Sequence, residues 1–121
     1  MAIPTFVINL PRHERRRRLM EAQLEFFPEL RARFVVGIDG REIPETELPN
    51  VYDAAKALRE WGQPLTRTEI GCALSHLAIY RTMVEEKLPQ ALVLEDSALL
   101  GGLFPEAIAA LEDSSEPLRP V

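Results

Sequence analysis

The chain has 121 residues, a length that fits one small domain, and 46% of them are hydrophobic, which supplies a core and excludes a wholly disordered chain. The formal net charge of -5 argues against a general nucleic-acid binder. No apolar run approaches the roughly 18–20 residues that cross a bilayer.

Positive charge is nevertheless concentrated early, in Arg12, Arg15, Arg16, Arg17 and Arg18. The single cysteine, Cys72, has no partner for an internal disulfide. The amino terminus lacks the charged and apolar regions of a signal peptide. These features read as a soluble cytoplasmic protein, with peripheral contact at the inner face of a membrane left open.

Thr5-Phe6-Val7-Ile8-Asn9 is short, apolar and rich in β-formers, so it reads as a buried strand. Pro11 suits the first turn of a helix, expected over residues 12 to 27 and stopped by Pro28. Residues 33 to 38 form the second strand candidate, closed by the turn pair Asp39-Gly40. Residues 41 to 64 are of mixed polarity with three prolines, an excursion holding one short helix at 53 to 61. Thr66 and Glu69 match a capping box, and the apolar positions Ile70, Ala73, Leu74, Leu77 and Val84 carry a helical period to about residue 86. Residues 90 to 94 show no alternation, as in a strand covered on both faces. A helix is expected at 105 to 111 and a loose tail at 113 to 121, so that 1 to 112 make the domain. The order β-α-β-loop-α-β-α predicts an α/β fold: a mostly parallel sheet with helices on its faces.

Glu95 and Asp96 close the third strand. Adjacent carboxylates at such an end suit a hard divalent cation, and they equally suit a plain polar strand end. Arg12, Arg15 and Arg16 follow Asn9 at a helix start, where guanidinium forks and free N–H groups favour phosphate. Arg17 and Arg18 read as a solvated face, and His13 is expected in solvent. Gly71, Ser75 and Ala78 give a helix face of small side chains that a strand or a ligand approaches closely. Cys72 and His76 share a face, but two ligands make a poor zinc site and no third catalytic group is visible. A buried thiol and a hydrogen-bonded histidine are expected instead. Asp39 suits a ribose or base contact, or simply the turn. Nucleotide-loop and hydrolase motifs are absent.

Taken in order, Phe6-Val7-Ile8-Asn9-Leu10 with Arg12, Glu14, Arg15 and Arg16, then Val36-Gly37-Ile38-Asp39-Gly40-Arg41, then Leu65-Thr66 with Glu69-Ile70-Gly71-Cys72-Ala73-Leu74-Ser75-His76, then Ala91-Leu92-Val93-Leu94-Glu95-Asp96, resemble glycosyltransferase family 25. The resemblance spans about residues 3 to 100 and implies a GT-A-like, Rossmann-like fold, of which the chain carries the donor-binding half. It implies a nucleotide-sugar donor, UDP-linked, and a saccharide or glycolipid acceptor in lipooligosaccharide or other cell-surface glycan synthesis. Asn9, Arg12, Arg15, Asp39, Gly71, Ser75 and His76 would bind the donor. Glu95 and Asp96 would hold Mn²⁺ or Mg²⁺. The family motif reads Glu-Asp-Asp, and Ser97 stands at its third position, where a neutral hydroxyl is a weaker ligand for a hard cation. No catalytic base is assigned. A non-catalytic relative that binds a nucleotide sugar or a partner protein is the second reading. A receiver-like signalling module is the third, disfavoured because Asn9-Leu10-Pro11-Arg12 follows the first strand where that module needs acids.

Overall fold

The computed structural model describes residues 3–102 and 104–112. The elements run β1 (Thr5–Asn9), α1 (Glu14–Leu24), β2 (Arg33–Val36), α2 (Leu48–Val51), α3 (Ala54–Trp61), α4 (Arg67–Glu85), β3 (Leu92–Glu95) and α5 (Phe104–Glu112). Short 3-10 turns occupy Pro28–Leu30 and Gly40–Glu42. The expected tail at 113 to 121 lies outside the described residues.

β1 is the centre of a three-stranded parallel sheet of order β2-β1-β3. Asn9 is opposite Val36 on one side, and Ile8 is opposite Glu95 on the other. The chain therefore leaves β1 in one direction and later returns across it. Right-handed crossovers in opposite directions place α1 and α4 on opposite faces of the sheet. This is the expected α/β arrangement, that of a Rossmann-like GT-A half domain, with β1 at the point where the strand order reverses.

Side-chain alternation divides the core in the same way. Val7 points to the α1 face and packs with Met20 and Leu94, both Val7 and Met20 being fully buried. Each such side chain contributes about 1.5–3 kcal/mol of apolar burial. Phe6 points the other way and is equally buried. The buried residues of α4 are Ile70, Gly71, Ser75 and Ile79. A further cluster of Ile3, Leu30 and Ile108 closes the other end of the sheet, with Phe27 edge-on to Phe104 at 5.1 Å.

Several element bounds differ from the sequence expectation, and β3 runs Leu92–Glu95 rather than 90 to 94. The first helix begins at Glu14, because residues 10–13 form a turn with the His13 N–H bonded to the Leu10 carbonyl at 2.9 Å. It ends at Leu24, where the chain tightens: Phe26 and Phe27 bond back three residues before Pro28. β2 ends at Val36, because Ile38 turns away to donate its N–H to Ser75 Oγ at 2.8 Å. The excursion holds an extra short helix, α2, beside the expected α3.

α4 starts as its capping box predicts. Thr66 Oγ1 accepts from the Glu69 N–H at 3.1 Å, and Glu69 Oε1 accepts from the Thr66 N–H at 2.9 Å. The bonds from the Thr66 backbone and hydroxyl hold the Glu69 carboxyl below its ordinary value near 4.5. A depressed carboxyl stabilises the fold above its unfolded-state value, and this contribution is lost as pH falls through the lower folded value. Thr66→Ala is expected to cost about 1 kcal/mol in urea denaturation at neutral pH. The difference from the parent chain should shrink once Glu69 is protonated in acid.

Candidate functional site

The carboxyl ends of β1 and β3 open into a cleft of about 400 Å³. Four pieces of chain wall it: the turn after β1, residues 38–41 after β2, the first turns of α4, and residues 95–97 after β3. A crevice at the carboxyl edge, at the point of strand reversal, is where open α/β sheets bind ligands. Its volume falls in the range of about 300–1,000 Å³ for small-molecule sites.

Residues 38–41 reach the cleft because two glycines let backbones touch. A Cβ on Gly71 would lie 2.5 Å from both the Gly40 nitrogen and the Ile38 oxygen. A Cβ on Gly40 would lie 2.7 Å from the Arg67 carbonyl carbon. Ser75, buried, donates to the Gly71 carbonyl at 2.8 Å while accepting from Ile38. Arg67 seals the contact by donating to the carbonyls of Gly40, at 2.8 Å, and of Ile43. The small-residue face of α4 thus seats this turn, at Gly71 with no room left for a ligand.

The turn presents Asp39. Its side chain, 11% exposed, pairs with Arg12 at 2.8 Å and accepts from the Arg41 backbone at 3.1 Å. Arg12 Nε also donates to His13 Nε2 at 3.3 Å, and Arg16 lies 3.4 Å from His13 Nδ1. Asp96 completes the wall. It accepts from Asn9 Nδ2 at 2.8 Å, with Arg16 at 3.8 Å and His13 at 4.0 Å. Asn9 is 5% exposed and also donates to the His13 carbonyl at 3.1 Å, tying the end of β1 to the turn and to β3. The result is alternating Arg, His and Asp at one edge.

Of the expected donor-site residues, Arg12, Asp39 and Ser75 line the cleft, as do Glu95 and Asp96. Asn9 and Gly71 act from behind it, one as a clamp and one as a seat, and His76 lies outside the lining, its ring tilted against Tyr80 at 6.2 Å. Arg15 is exposed and off the cleft; Arg16 takes its place. His13 is not in solvent but in the wall between Arg12 and Arg16. Cys72 is exposed rather than buried and lines the cleft. Arg17 is held over the Phe34 ring at 4.4 Å and pairs with Glu21 at 2.8 Å, so it is not simply a solvated charge. Arg41 and Thr68 also line the cleft and carried no sequence signal beyond their neighbours.

Glu95 and Asp96 do not work together. Asp96 serves the β1–α1 turn and is 9% exposed, its oxygens turned to Asn9, Arg16 and His13. Glu95 meets α4, accepting from the Cys72 thiol at 3.7 Å. A hard cation shared by both carboxylates would have to take Asp96 from its cationic neighbours, and Ser97 offers no charge in compensation. This donor set does not fit Mn²⁺ or Mg²⁺.

The Cys72 thiol is pushed above its ordinary value, first by partial burial, then by the charge and the hydrogen bond of Glu95. A raised thiol carries less thiolate at neutral pH and reacts slowly. Glu95→Gln removes the charge, so Cys72 should alkylate faster with iodoacetamide near pH 7.5. An unchanged rate would place burial alone in control.

The family model described as "Glycosyltransferase family 25 (LPS biosynthesis protein)" matches residues 2–119. The chain belongs to glycosyltransferase family 25. It is 30% identical to human procollagen galactosyltransferase 2 over 112 residues, which are 90% of this chain and 18% of that protein. It is 30% identical to a glycosyltransferase 25 family member of Aedes aegypti over 122 residues, 91% of this chain and 18% of the relative. It is 32% identical to human inactive glycosyltransferase 25 family member 3 over 114 residues, 92% of this chain and 19% of that protein. The chain therefore spans less than a fifth of the length of these family 25 relatives, and they include proteins named as inactive. No helix among the described residues is long and apolar enough to cross a membrane.

Proposed function

We propose that the cleft binds the diphosphate of a UDP-linked sugar, and that the chain supplies the donor side of sugar transfer to a saccharide or glycolipid acceptor in cell-surface glycan synthesis. One observation carries the reading: Arg12, His13 and Arg16 converge with Asp39 and Asp96 at the carboxyl end of β1, at the strand reversal. Guanidinium groups bind phosphate oxygens in a planar fork. Their carboxylate partners hold them in position before the ligand arrives, which spares ordering cost on binding.

In transfer, the acceptor hydroxyl oxygen bonds to the anomeric carbon as the bond from that carbon to the diphosphate breaks; UDP leaves, and the hydroxyl proton passes to water. Arg12 and Arg16 neutralise the charge that develops on the leaving diphosphate, the kind of stabilisation that is usually the largest single term. Asp39 orients Arg12, and Asn9 orients Asp96 against Arg16.

Ser97 and the divided roles of Glu95 and Asp96 favour a second reading, donor binding without turnover. Calorimetric titration with UDP and UDP-sugars, followed by assay of UDP release with saccharide acceptors, separates the two. Binding with release supports transfer, and binding without release supports the second reading. Absence of any nucleotide binding overturns both.

A further inference from the structure

We infer that Cys72, His76 and Glu95 form a binding site for one divalent ion of the zinc class on the α4 side of the cleft. Cys72 and His76 are four residues apart on α4 and so share a face. Glu95 reaches the same face from the end of β3. The Cys72 sulfur, a His76 ring nitrogen and a Glu95 carboxylate oxygen all lie within 4.8 Å of one another. The Cys72–Glu95 contact is already 3.7 Å.

Ligand atoms at about 2.0–2.3 Å from a tetrahedral ion stand roughly 3.3–3.8 Å apart. From at most 4.8 Å, the triad reaches that spacing by shifts of about 1 Å. Cys72 and Glu95 are exposed, so solvent has access to a fourth position. Three protein ligands with one open position is the pattern of an open zinc site.

The ligand types decide the ion. Thiolate and imidazole are matched to zinc-class ions, whereas Mg²⁺ and Mn²⁺ prefer carboxylate and water. The same geometry explains why Glu95 does not join Asp96: its carboxylate is turned to the softer pair on α4. The inference shares Glu95 with the donor cleft but does not rest on sugar-nucleotide binding.

The test uses the full chain, stripped with chelator, in the absence of nucleotide. Titration with ZnCl₂ is expected to saturate at a single equivalent, and MgCl₂ not to compete. Co²⁺, used as a spectroscopic probe, should show a thiolate charge-transfer band. Cys72→Ser, His76→Gln and Glu95→Gln should each weaken Zn²⁺ by about 100-fold, at least what loss of a supporting neighbour costs a metal site. Zn²⁺ should also protect Cys72 of the parent chain from alkylation, a readout that needs no variant to fold. Absence of saturable Zn²⁺ binding, an unchanged affinity in folded Cys72→Ser, or a Co²⁺ spectrum without the thiolate band each overturns the inference. A chain that binds Zn²⁺ but not UDP keeps it and sinks the donor-cleft reading; the converse result sinks it alone.

Discussion

Gly71→Ala and Gly40→Ala are each expected to destabilise the chain by about 3 kcal/mol or more, the upper end of what overpacking costs. Two effects oppose each other at Gly71. Replacing glycine by alanine within a helix normally gains about 1 kcal/mol. Here the added carbon would sit 2.5 Å from the Gly40 nitrogen and the Ile38 oxygen. Both are backbone atoms and do not rotate aside as a side chain would. The clash therefore outweighs the helix preference, and the sign of the change is the test: a stabilised Gly71→Ala in urea denaturation would refute the close approach. Other glycines calibrate the scale. Gly62 follows α3 at φ 78°, with open space around it, so Gly62→Ala should cost only about 1 kcal/mol of backbone strain. Gly101 has open space and no positive φ, so Gly101→Ala should change stability by less than about 0.5 kcal/mol. The glycine contact also bears on function, because Asp39 sits between Ile38 and Gly40. Any Gly71→Ala protein that still folds should hold Arg12 less firmly and bind nucleotide more weakly.

What the amino-acid pattern made readable follows the range of the forces involved. The capping box at Thr66 and Glu69 is local, involving neighbours three residues apart, and α4 begins where that pattern places it. The three strands are apolar runs, and strand existence survives small errors of register. The end of β2 did not survive, because it is decided by Ser75, 37 residues away, which captures the Ile38 N–H. Gly71 and Ser75 announced a close approach in the sequence, but not whether a ligand or the chain itself would make it. The arginines failed in a similar way. A helix turns by 100° per residue, so one position changes which side chain faces the cleft. The turn at residues 10–13 delays α1 to Glu14, putting Arg16 beside His13 and leaving Arg15 off the site. His13 carries no pattern of its own, and only the fold sets it between two arginines. Glu95 and Asp96 were read as one unit because they are adjacent. Adjacent side chains at a strand end part to opposite sides, and here they meet α4 and the β1–α1 turn respectively.

Arg12→Ala is expected to weaken UDP binding by tenfold or more, and Arg16→Ala by a similar factor, while Arg15→Ala should leave it nearly unchanged. A hydrogen bond to a charged group is worth about 1.5–3 kcal/mol, and each 1.4 kcal/mol is a tenfold change in affinity. Arg12 is half-exposed and already paired with Asp39, so part of its charge is offset before ligand arrives. That offset sets the magnitude nearer the lower end of the range. It also gives the effect a salt dependence, since exposed charges are screened beyond about 8 Å at physiological ionic strength. Raising salt should therefore narrow the gap between Arg12→Ala and the parent chain. Asp39→Asn separates charge from position. If Asp39 only offsets Arg12, its neutral variant should bind UDP more tightly. If it orients Arg12, affinity should fall despite the gain in positive charge, and the 2.8 Å contact, reinforced by the Arg41 backbone, favours a fall. Calorimetry on the four variants decides the matter. Equal losses for Arg12→Ala and Arg15→Ala would mean a diffuse basic surface, because only a site built at the end of β1 distinguishes arginines three residues apart.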